Sequence, residues 1–564
     1  MPLPSFLTRS LFTRSADGRL VRSPRVDACF FLLLGAVVIA EPLWIACASL
    51  PPHPDAATGL YAALLLLAGN GLTAGFAPGL PAAWCHLLLP AAWAAKTLGV
   101  APAAACYGYV AALAALSLVL CRTLLVRLLP GASHLLRHAA LFFLAFAFLG
   151  LPLAGRRFGQ PAHVMAILAM PWFLALGVRV TGGNLTRWVA WPCGLLAGIG
   201  FLAAPNALPI WLGGECIAGL AARRRGALAL HMLRPEGVAI PFVLALSSLA
   251  LMTRGAAFAV ALPVPLESPW RLAALTADPA AVVFVAGLLA CCLALPWLRR
   301  VHAGLAALVP LLPAMALPAF FPHTAWTHPT IAGAAPALFL SCTAGFARYD
   351  AWRQRRGSRL GTPLLLLGLM AAGFGLGQWT VMHNAMRQVA SGDPTLSGAA
   401  TAFAANKPIY VVSTRPAPAF GLILETGSCW PVRHATLAAL PPFYASTPQD
   451  TPIVFHAPDT MSPTEKYLLT TVVDDLVATP PALLVFDLTS PQPGFGGHVF
   501  NYLEYLALDP RFVTLMRGYT PVIPPIANYL LMRRLPGEPV GLCPVLGEPA
   551  TPPGQAMSAV RPKE

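Results

Sequence analysis

The sequence contains many apolar runs of about twenty residues, and these runs constrain its fold more than any other feature. Such runs are long enough to cross a bilayer as a helix, and they recur from Ala28 onward. Only 10% of the 564 residues are charged, against roughly 25% in average proteins. The sequence therefore predicts a mainly α, polytopic membrane helical bundle.

We predict a membrane domain over residues 28–382 with eleven transmembrane helices. Their predicted spans are 28–50, 101–121, 136–153, 162–179, 189–204, 206–222, 237–253, 279–298, 302–320, 329–347 and 361–382. A long first loop, 51–100, contains the semi-apolar stretch "LPAAWCHLLLPAAWAAKTLG". Because Pro81 and Pro90 break this stretch into short pieces, we expect it to lie in the membrane interface rather than to cross.

The basic residues indicate which side of the membrane each loop occupies. A net charge of +15 would suit a nucleic-acid partner, but the bases fall in short clusters between apolar runs, so we predict none. With the basic segment 1–27 in the cytoplasm, the membrane region places 21 Lys and Arg on that side and five on the other. This bias predicts a bacterial inner membrane protein whose long C-terminal part is periplasmic.

The part of the chain after residue 382 has a different character. "KPIYVVST", "TPIVFHA" and "PALLVFDL" have the short, Val- and Ile-rich pattern of strands. "SPTEKYLLTTVVDDLVA" begins with a serine N-cap and a first-turn proline, which predicts a helix. We predict a small periplasmic α/β domain over 383–538, followed by a disordered tail, 539–564. Cys429 and Cys543 could pair in that compartment or remain free.

Two adjacent arginines, Arg156 and Arg157, lie on the outer side, against the charge bias. One interpretation is a pair of interfacial arginines that extend to lipid headgroups. The other is an anion site, because the guanidinium group offers a rigid fork that matches phosphate oxygens. The sequence leaves both open.

An acid just beyond the first predicted helix, Asp55, is the leading catalytic candidate. Its position before "AATGLYAALLLLA" also fits a helix N-cap, and capping is compatible with catalysis. Glu41, inside the first span, is either a functional acid at membrane depth or simply hydrated near the outer end. Glu215 and Glu236 lie near cytoplasmic helix ends, where we expect them to pair with Arg223–Arg225 or Arg234.

Gln160 and His163, three residues apart at a predicted helix start, could face one cavity. The alternatives are a helix cap for Gln160 and a packed side chain for His163. His323 and His328 share an outer loop, but with no third ligand identifiable we predict no metal. His53 is interpreted as a neighbour of Asp55 rather than as a catalyst.

These features resemble the GT-C class of membrane glycosyltransferases. An acid past the first transmembrane helix, followed by an amphipathic helix and a Pro-rich interfacial stretch, is similar to enzymes that use polyprenyl-phosphate sugars, including protein mannosyltransferase and aminoarabinose transferase relatives. More narrowly, "FGQPAHVMAILAMPWFLA" resembles a Phe-Gly-Gln-Arg-Glu-His-Leu motif in a bacterial group of this class. "GLLAGIGFLAAPNALPIWLGGE", "LRPEGVAIPF" and "NYLEYLALDPRFVTLMRGYTPV" also resemble that group.

The chain departs from the group's pattern at charged positions. Pro161 and Ala162 follow Gln160 where the group has Arg-Glu, and Ala204 precedes Pro205 where a lysine is expected. "FFPHTAWTHPTIAG" keeps Trp326 and His328 but lacks the expected lysine. These losses put tight phosphate binding in question, and Arg156 and Arg157 could compensate for them.

The resemblance implies transfer of a sugar from a polyprenyl-phosphate donor to an envelope glycan, lipid or protein, with inversion at the sugar. Asp55 would be the general base, Arg156 and Arg157 would bind the phosphate, and no cofactor is expected. Gln160, His163, His328 and Glu41 are further cavity candidates. The alternatives are a transporter of lipid-linked glycans and an inactive relative that serves as an assembly partner.

Overall fold

The architecture is taken from a computed structural model. It describes residues 12–14, 20–22, 30, 34–35, 52–69, 82–149, 158–224, 226, 234–253, 279–316, 330–355, 394–444, 453–489, 492, 495, 498–526 and 528–543. Near the N-terminus, β1 (Phe12–Arg14) and β2 (Leu20–Arg22) pair antiparallel. The sequence did not predict this hairpin in segment 1–27.

The described part of the membrane region is helical. Its members are α4 (Pro102–Leu128), α5 (His134–Leu149), α6 (Pro161–Val180), α7 (Arg187–Ala203), α8 (Leu208–Arg223), α9 (Pro235–Thr253), α10 (Pro279–Val301), α11 (Ala303–Leu308), α12 (Leu312–Ala316) and α13 (Thr330–Arg355). Among the described residues, three helical segments are long and apolar enough to cross a membrane: Pro102–Leu128, Pro161–Val180 and Val282–Val301. Several shorter apolar helices accompany them.

The predicted spans between residues 101 and 347 coincide with helices of the structure. The predicted span 302–320 is not one continuous helix. In its described part a 3-10 turn, Val309–Leu311, separates α11 from α12. Pro310 and Pro313, which lack backbone N–H donors, lie at this break. The spans 28–50 and 361–382 fall largely or wholly outside the described residues, so the count of eleven stays a prediction.

Three helices fill the described part of the first loop: α1 (Pro54–Leu67), α2 (Ala82–Leu87) and α3 (Leu89–Leu98). At 1.5 Å per residue, even the 14 residues of α1 extend about 21 Å, short of a hydrocarbon core of about 30 Å. The break between α2 and α3 falls next to Pro90, as expected. These helices are thus too short to cross as the long spans do.

Helix α6 lies at the centre of the bundle. The apolar stretch of this helix that is long enough to cross a membrane is completely buried. The helix packs against α4, α7, α8, α11 and α13. Gly200 of α7 lets that helix come close, because a Cβ there would lie 3.2 Å from the Cβ of Leu168. Residues at the start of α6 are therefore held by most of the membrane domain.

A buried charge cluster joins the far end of α6 to its neighbours. Arg179 donates to Glu215 at 2.7 Å and lies 3.5 Å from Glu236, while the indole of Trp172 also donates to Glu215. Among the described residues the two glutamates thus share Arg179, a partner that the sequence analysis did not name, and their expected pairing with Arg223–Arg225 or Arg234 stays a prediction. Arg179 reaches both because α6, α8 and α9 converge there.

A mixed four-stranded sheet forms the core of the C-terminal domain. Its strands, β3 (Ile409–Val412), β4 (Leu483–Asp487), β5 (Tyr519–Ile526) and β6 (Tyr529–Arg534), lie in the order β3-β4-β6-β5. The first pair is parallel and the other two pairs are antiparallel. The flanking helices are α14 (Pro394–Ala404), α15 (Ala419–Thr426), α16 (Pro441–Tyr444), α17 (Pro463–Ala478), α18 (Tyr502–Leu506) and α19 (Pro510–Met516). This agrees with the predicted α/β character.

Two of the three predicted strands are present, and the third is not. Residues 453–457, within "TPIVFHA", form no strand. Phe455 instead packs its ring against Tyr444, Phe500 and Tyr505. The apolar pattern of this segment thus reflects burial in an aromatic cluster. Helix α17 begins as predicted, with the hydroxyl of Ser462 accepting from the N–H of Glu465.

The domain continues beyond residue 538. Cys429 and Cys543 form a disulfide across 114 residues of sequence, which resolves the question that the sequence left open. The N–H of Gly541 donates to the carbonyl of Pro480 at 2.8 Å. The packed domain therefore extends to Cys543, and residues 544–564 lie outside the described part.

Candidate functional site

Asp55 lies in the first turn of α1, two residues from the N-cap. The N-cap is His53, whose Nδ1 accepts from the N–H of Asp55 at 3.3 Å. The interpretation of Asp55 as the cap is therefore wrong, because Pro54, with its fixed φ, already occupies the first helical position. The Asp55 carboxylate is not used to cap this helix.

The carboxyl group of Asp55 is buried and incompletely paired. Asp55 is 3% exposed, and its Oδ2 makes no hydrogen bond within the described structure. Nδ1 of His53 lies 3.5 Å from this oxygen. Burial raises the pKa of Asp55 from 3.8 to about 8. A carboxyl group whose pKa lies near physiological pH is suited to accepting and releasing a proton.

Trp84 of α2 fixes the position of the α1 N-terminus. Its indole N–H donates to the backbone carbonyl of Asp55 at 3.2 Å, and the ring packs directly over Gly59. Only glycine leaves room there, because a Cβ would overlap the indole. The sequence analysis did not identify either residue, and the one available signal was a glycine inside an apolar helix.

The turn before α6 lies directly beside Asp55. Gly159, at φ +77°, approaches so closely that a Cβ built on it would be 3.8 Å from the Cβ of Ala56. Gln160 follows as the N-cap of α6, is 1% exposed, and makes no capping bond with its side chain. The structure thus brings together two segments that the sequence placed about a hundred residues apart.

His163 is bonded through both ring nitrogens. Its Nδ1 accepts from the N–H of Gly159 at 3.1 Å, and Nε2 lies 2.6 Å from the carbonyl of Phe148. Accepting at Nδ1 while donating at Nε2 requires the neutral tautomer that carries hydrogen on Nε2. His163 therefore joins the start of α6 to α5.

The C-terminal domain packs on the opposite side of α1. Ala57, Tyr61 and Ala62 of this helix belong to that domain's core, whereas Ala56 and Leu60 belong to the membrane core. α15 packs along α1. The helix that carries Asp55 is therefore held between the two domains.

A small apolar cavity lies farther along α6. It is partly open and is lined by Met165, Ala166, Ala169, Met170 and Phe173 of α6 and by Ile210, Met315 and Pro336. It begins within two turns of Gln160. The start of α6 is thus polar, and its next turns border apolar space.

Four predicted site residues, Arg156, Arg157, Glu41 and His328, lie outside the described residues, as does His323. Within the described part, no group of three His, Cys, Asp or Glu residues is placed to hold a metal ion. The expectations for these residues and for metal remain predictions. Of the candidates that can be located, Asp55, Gln160 and His163 lie on adjoining segments.

Comparison with known proteins supports the fold. No family model and no curated protein matches this chain. Among solved structures, ArnT from Cupriavidus metallidurans bound to undecaprenyl phosphate matches with a TM-score of 0.51 and 14% identity, over 91% of this chain and 99% of ArnT. Because the match spans nearly all of both chains, this protein has a GT-C-like membrane fold.

A weaker similarity involves the archaeal oligosaccharyltransferase AglB from Archaeoglobus fulgidus, in complex with an inhibitory peptide and a dolichol-phosphate. Its TM-score is 0.40 at 11% identity, over 86% of this chain and 72% of AglB. A likeness of this size carries no argument about the present protein.

Proposed function

We propose that the protein is an inner-membrane glycosyltransferase that moves a sugar from a polyprenyl-phosphate donor to a cell-envelope acceptor on the periplasmic face. The observation that carries the proposal is the buried, incompletely bonded carboxyl group of Asp55, beside the start of α6 in a fold shared with ArnT. We also place the chain in the bacterial group with the FGQREH-type motif.

Asp55 serves as the general base in this proposal. An acceptor hydroxyl transfers its proton to the Asp55 carboxylate while its oxygen bonds to C1 of the sugar. The bond between C1 and the phosphate oxygen breaks, and polyprenyl phosphate leaves with the electron pair. A single displacement of this kind inverts the configuration at C1. A pKa of about 8 makes Asp55 a stronger base than an ordinary carboxylate.

Arg156 and Arg157 are proposed to bind the departing phosphate. Arg157 is three residues before Gln160, and three residues of chain extend at most about 11 Å. Charged donors at a low-dielectric membrane face stabilise developing negative charge strongly. A neighbouring guanidinium would also favour the ionised form of Asp55.

The decisive experiment compares lipid-linked and surface glycans in cells that lack the gene and carry one variant. Wild-type protein should restore the missing glycan. Asp55→Asn should not restore it, although it reaches the membrane in normal amount. Asp459→Asn, which changes an exposed acid, is the matched control and should restore the glycan fully.

Other outcomes of this experiment separate the alternatives. Full restoration by Asp55→Asn would remove Asp55 from the mechanism. If cells without the gene accumulate finished lipid-linked glycan on the cytoplasmic leaflet, the protein is a transporter. If Asp55→Asn and wild type behave alike but deletion destabilises another envelope enzyme, it is an assembly partner.

A further inference from the structure

Gln160 has a buried carboxamide with unsatisfied hydrogen-bonding groups at both ends. The residue is 1% exposed, and neither Oε1 nor Nε2 has a hydrogen-bond partner within the described structure. It occupies the N-cap of α6, yet its side chain does not cap the helix. Buried amides are nearly always paired, so this exception calls for a partner beyond the described residues, and a bound ligand can supply one.

The backbone around Gln160 is fixed by neighbouring groups. His163 accepts from the N–H of Gly159 and bonds the carbonyl of Phe148, and its ring packs 5.1 Å from that of Phe158. Gly159 adopts φ +77°, which favours glycine. Since both nitrogens of His163 are engaged, this histidine holds the turn that presents Gln160.

The unsatisfied carboxamide lies on the segment next to the candidate base. A Cβ built on Gly159 would lie 3.8 Å from that of Ala56, the residue after Asp55, and among the described residues Oδ2 of Asp55 also lacks a hydrogen bond. Two adjoining segments thus each carry a buried polar side chain available to a ligand. Neither group is explained by helix capping.

We infer that Gln160 binds a hydroxyl group, or a vicinal pair of hydroxyls, on the sugar of the lipid donor, and that His163 is its positioning residue. A carboxamide both donates, through Nε2, and accepts, through Oε1. A sugar hydroxyl also does both, so it satisfies the two ends together. A phosphate diester only accepts and would leave Oε1 unsatisfied. This inference rests on the proposed function and adds a specificity determinant to it.

The consequence is selectivity for the sugar rather than for the lipid phosphate. A site built to hydrogen-bond a hydroxyl discriminates strongly against an analogue that lacks it, because its own polar groups are then left buried and unpaired. Gln160 should therefore distinguish donors by their ring hydroxyls. It should be indifferent to bare polyprenyl phosphate.

The test measures lipid binding to the full chain in nanodiscs. The probes are polyprenyl phosphates that carry glucose, mannose or xylose, with bare polyprenyl phosphate as the reference. Wild-type protein should bind at least one sugar-bearing lipid more tightly than the reference. Gln160→Met, nearly isosteric but without hydrogen bonds, should reduce that preference by about ten- to a hundredfold and leave binding of the reference unchanged.

Two further measurements distinguish ligand binding from a structural role. The thermal midpoint of Gln160→Met should equal or exceed that of the wild type, since a buried unpaired amide is removed. His163→Phe should weaken sugar binding in the same direction, and the effect should not add to that of Gln160→Met. Asn501→Ala removes another amide N-cap, in the C-terminal domain, and should change neither binding measurement.

Several results would overturn the inference. One is an unchanged sugar preference in Gln160→Met, which would leave the proposed function intact. Another is equal loss of bare polyprenyl phosphate, which would make Gln160 a phosphate ligand. Failure of every sugar-bearing lipid to exceed the reference would also refute it. The glycan experiment with Asp55→Asn judges the proposed function independently, so the two failures can be told apart.

Discussion

The hydroxyl oxygen of Tyr61 accepts a hydrogen bond of 2.9 Å from the backbone N–H of Trp430. Tyr61 belongs to α1, the helix that carries Asp55, and Trp430 belongs to the C-terminal domain. Phe420 packs against both aromatic rings, at 5.6 Å from Tyr61 and 4.9 Å from Trp430. The C-terminal domain therefore contacts α1, the helix that carries Asp55, directly. A change in this domain can reach the candidate base through these contacts.

Replacing Tyr61 with phenylalanine should loosen this attachment. The variant keeps the ring but leaves the buried N–H of Trp430 without its acceptor, which costs about 1–3 kcal/mol. We expect a lower thermal midpoint and faster proteolysis between the domains. Tyr467→Phe changes an exposed tyrosine of α17 (56% exposed) and is the control. Equal stability of Tyr61→Phe and wild type would show that the contact contributes little.

Gly59→Ala should displace Trp84 from the start of α1. The added methyl group would overlap the indole, so the hydrogen bond from Trp84 to the Asp55 carbonyl should lengthen or break. Overpacking of this kind costs about 1–3 kcal/mol, and glycan transfer should fall with it. Unfolding midpoints and transfer rates in nanodiscs check both effects.

Gly108→Ala is the matched control for that substitution. Gly108 also lies within a helix, α4, but nothing lies within 4 Å of a Cβ built there. Alanine favours helix more than glycine does, so this variant should be as stable as wild type or slightly more stable. Similar losses in both variants would show that the effect does not depend on the contact with Trp84.

The sequence predicted the elements of this protein better than their mutual arrangement. Apolar periodicity located most of the membrane helices, and local caps located α17, because both signals lie within a few adjacent residues. Contacts such as Gly159 with Ala56 depend on how distant helices pack. No local pattern encodes them, so the sequence did not predict that the turn before α6 lies against α1.

The errors also have physical causes. Segment 453–457 has the composition of a strand, but Phe455 packs into an aromatic cluster. Tertiary packing of this kind overrides a weak β-propensity. Asp55 was interpreted as an N-cap because aspartate is a common cap, although Pro54 already marked the first helical residue. Arg179, a partner of Glu215 and Glu236 that the sequence did not indicate, is close to them in space but distant in sequence.

Stability should fall as pH rises from about 4 to about 8, because of Asp55. Burial raises its folded-state pKa from 3.8 to about 8, so the folded protein binds more protons than the unfolded chain in this interval. The contribution is fully present below about pH 4 and is lost as the pH rises through about 8; it amounts to about 6 kcal/mol at most. Unfolding midpoints across this range measure it.

Asp55→Asn should remove most of that pH dependence and be the more stable protein at pH 8, because its amide carries no charge to bury. Transfer by the wild type should show the opposite trend, rising towards pH 8 as the base ionises. Asp459→Asn should retain the wild-type pH profile in both measurements. A wild-type stability that does not change between pH 5 and 8 would contradict a raised pKa in the folded protein.

The disulfide between Cys429 and Cys543 provides a test of which compartment holds the C-terminal domain. Disulfides persist in the periplasm and are rare in the cytosol, so protein from intact cells should carry this bond. Cys429→Ser should destabilise the domain by about 2–5 kcal/mol and weaken its hold on Tyr61, because Cys429 directly precedes Trp430. Cys292→Ser, at an exposed free thiol of α10, should have no such effect. Mass spectrometry without reduction reads the bond, and two free thiols at 429 and 543 in freshly isolated membranes would argue for a cytoplasmic domain and against a periplasmic site.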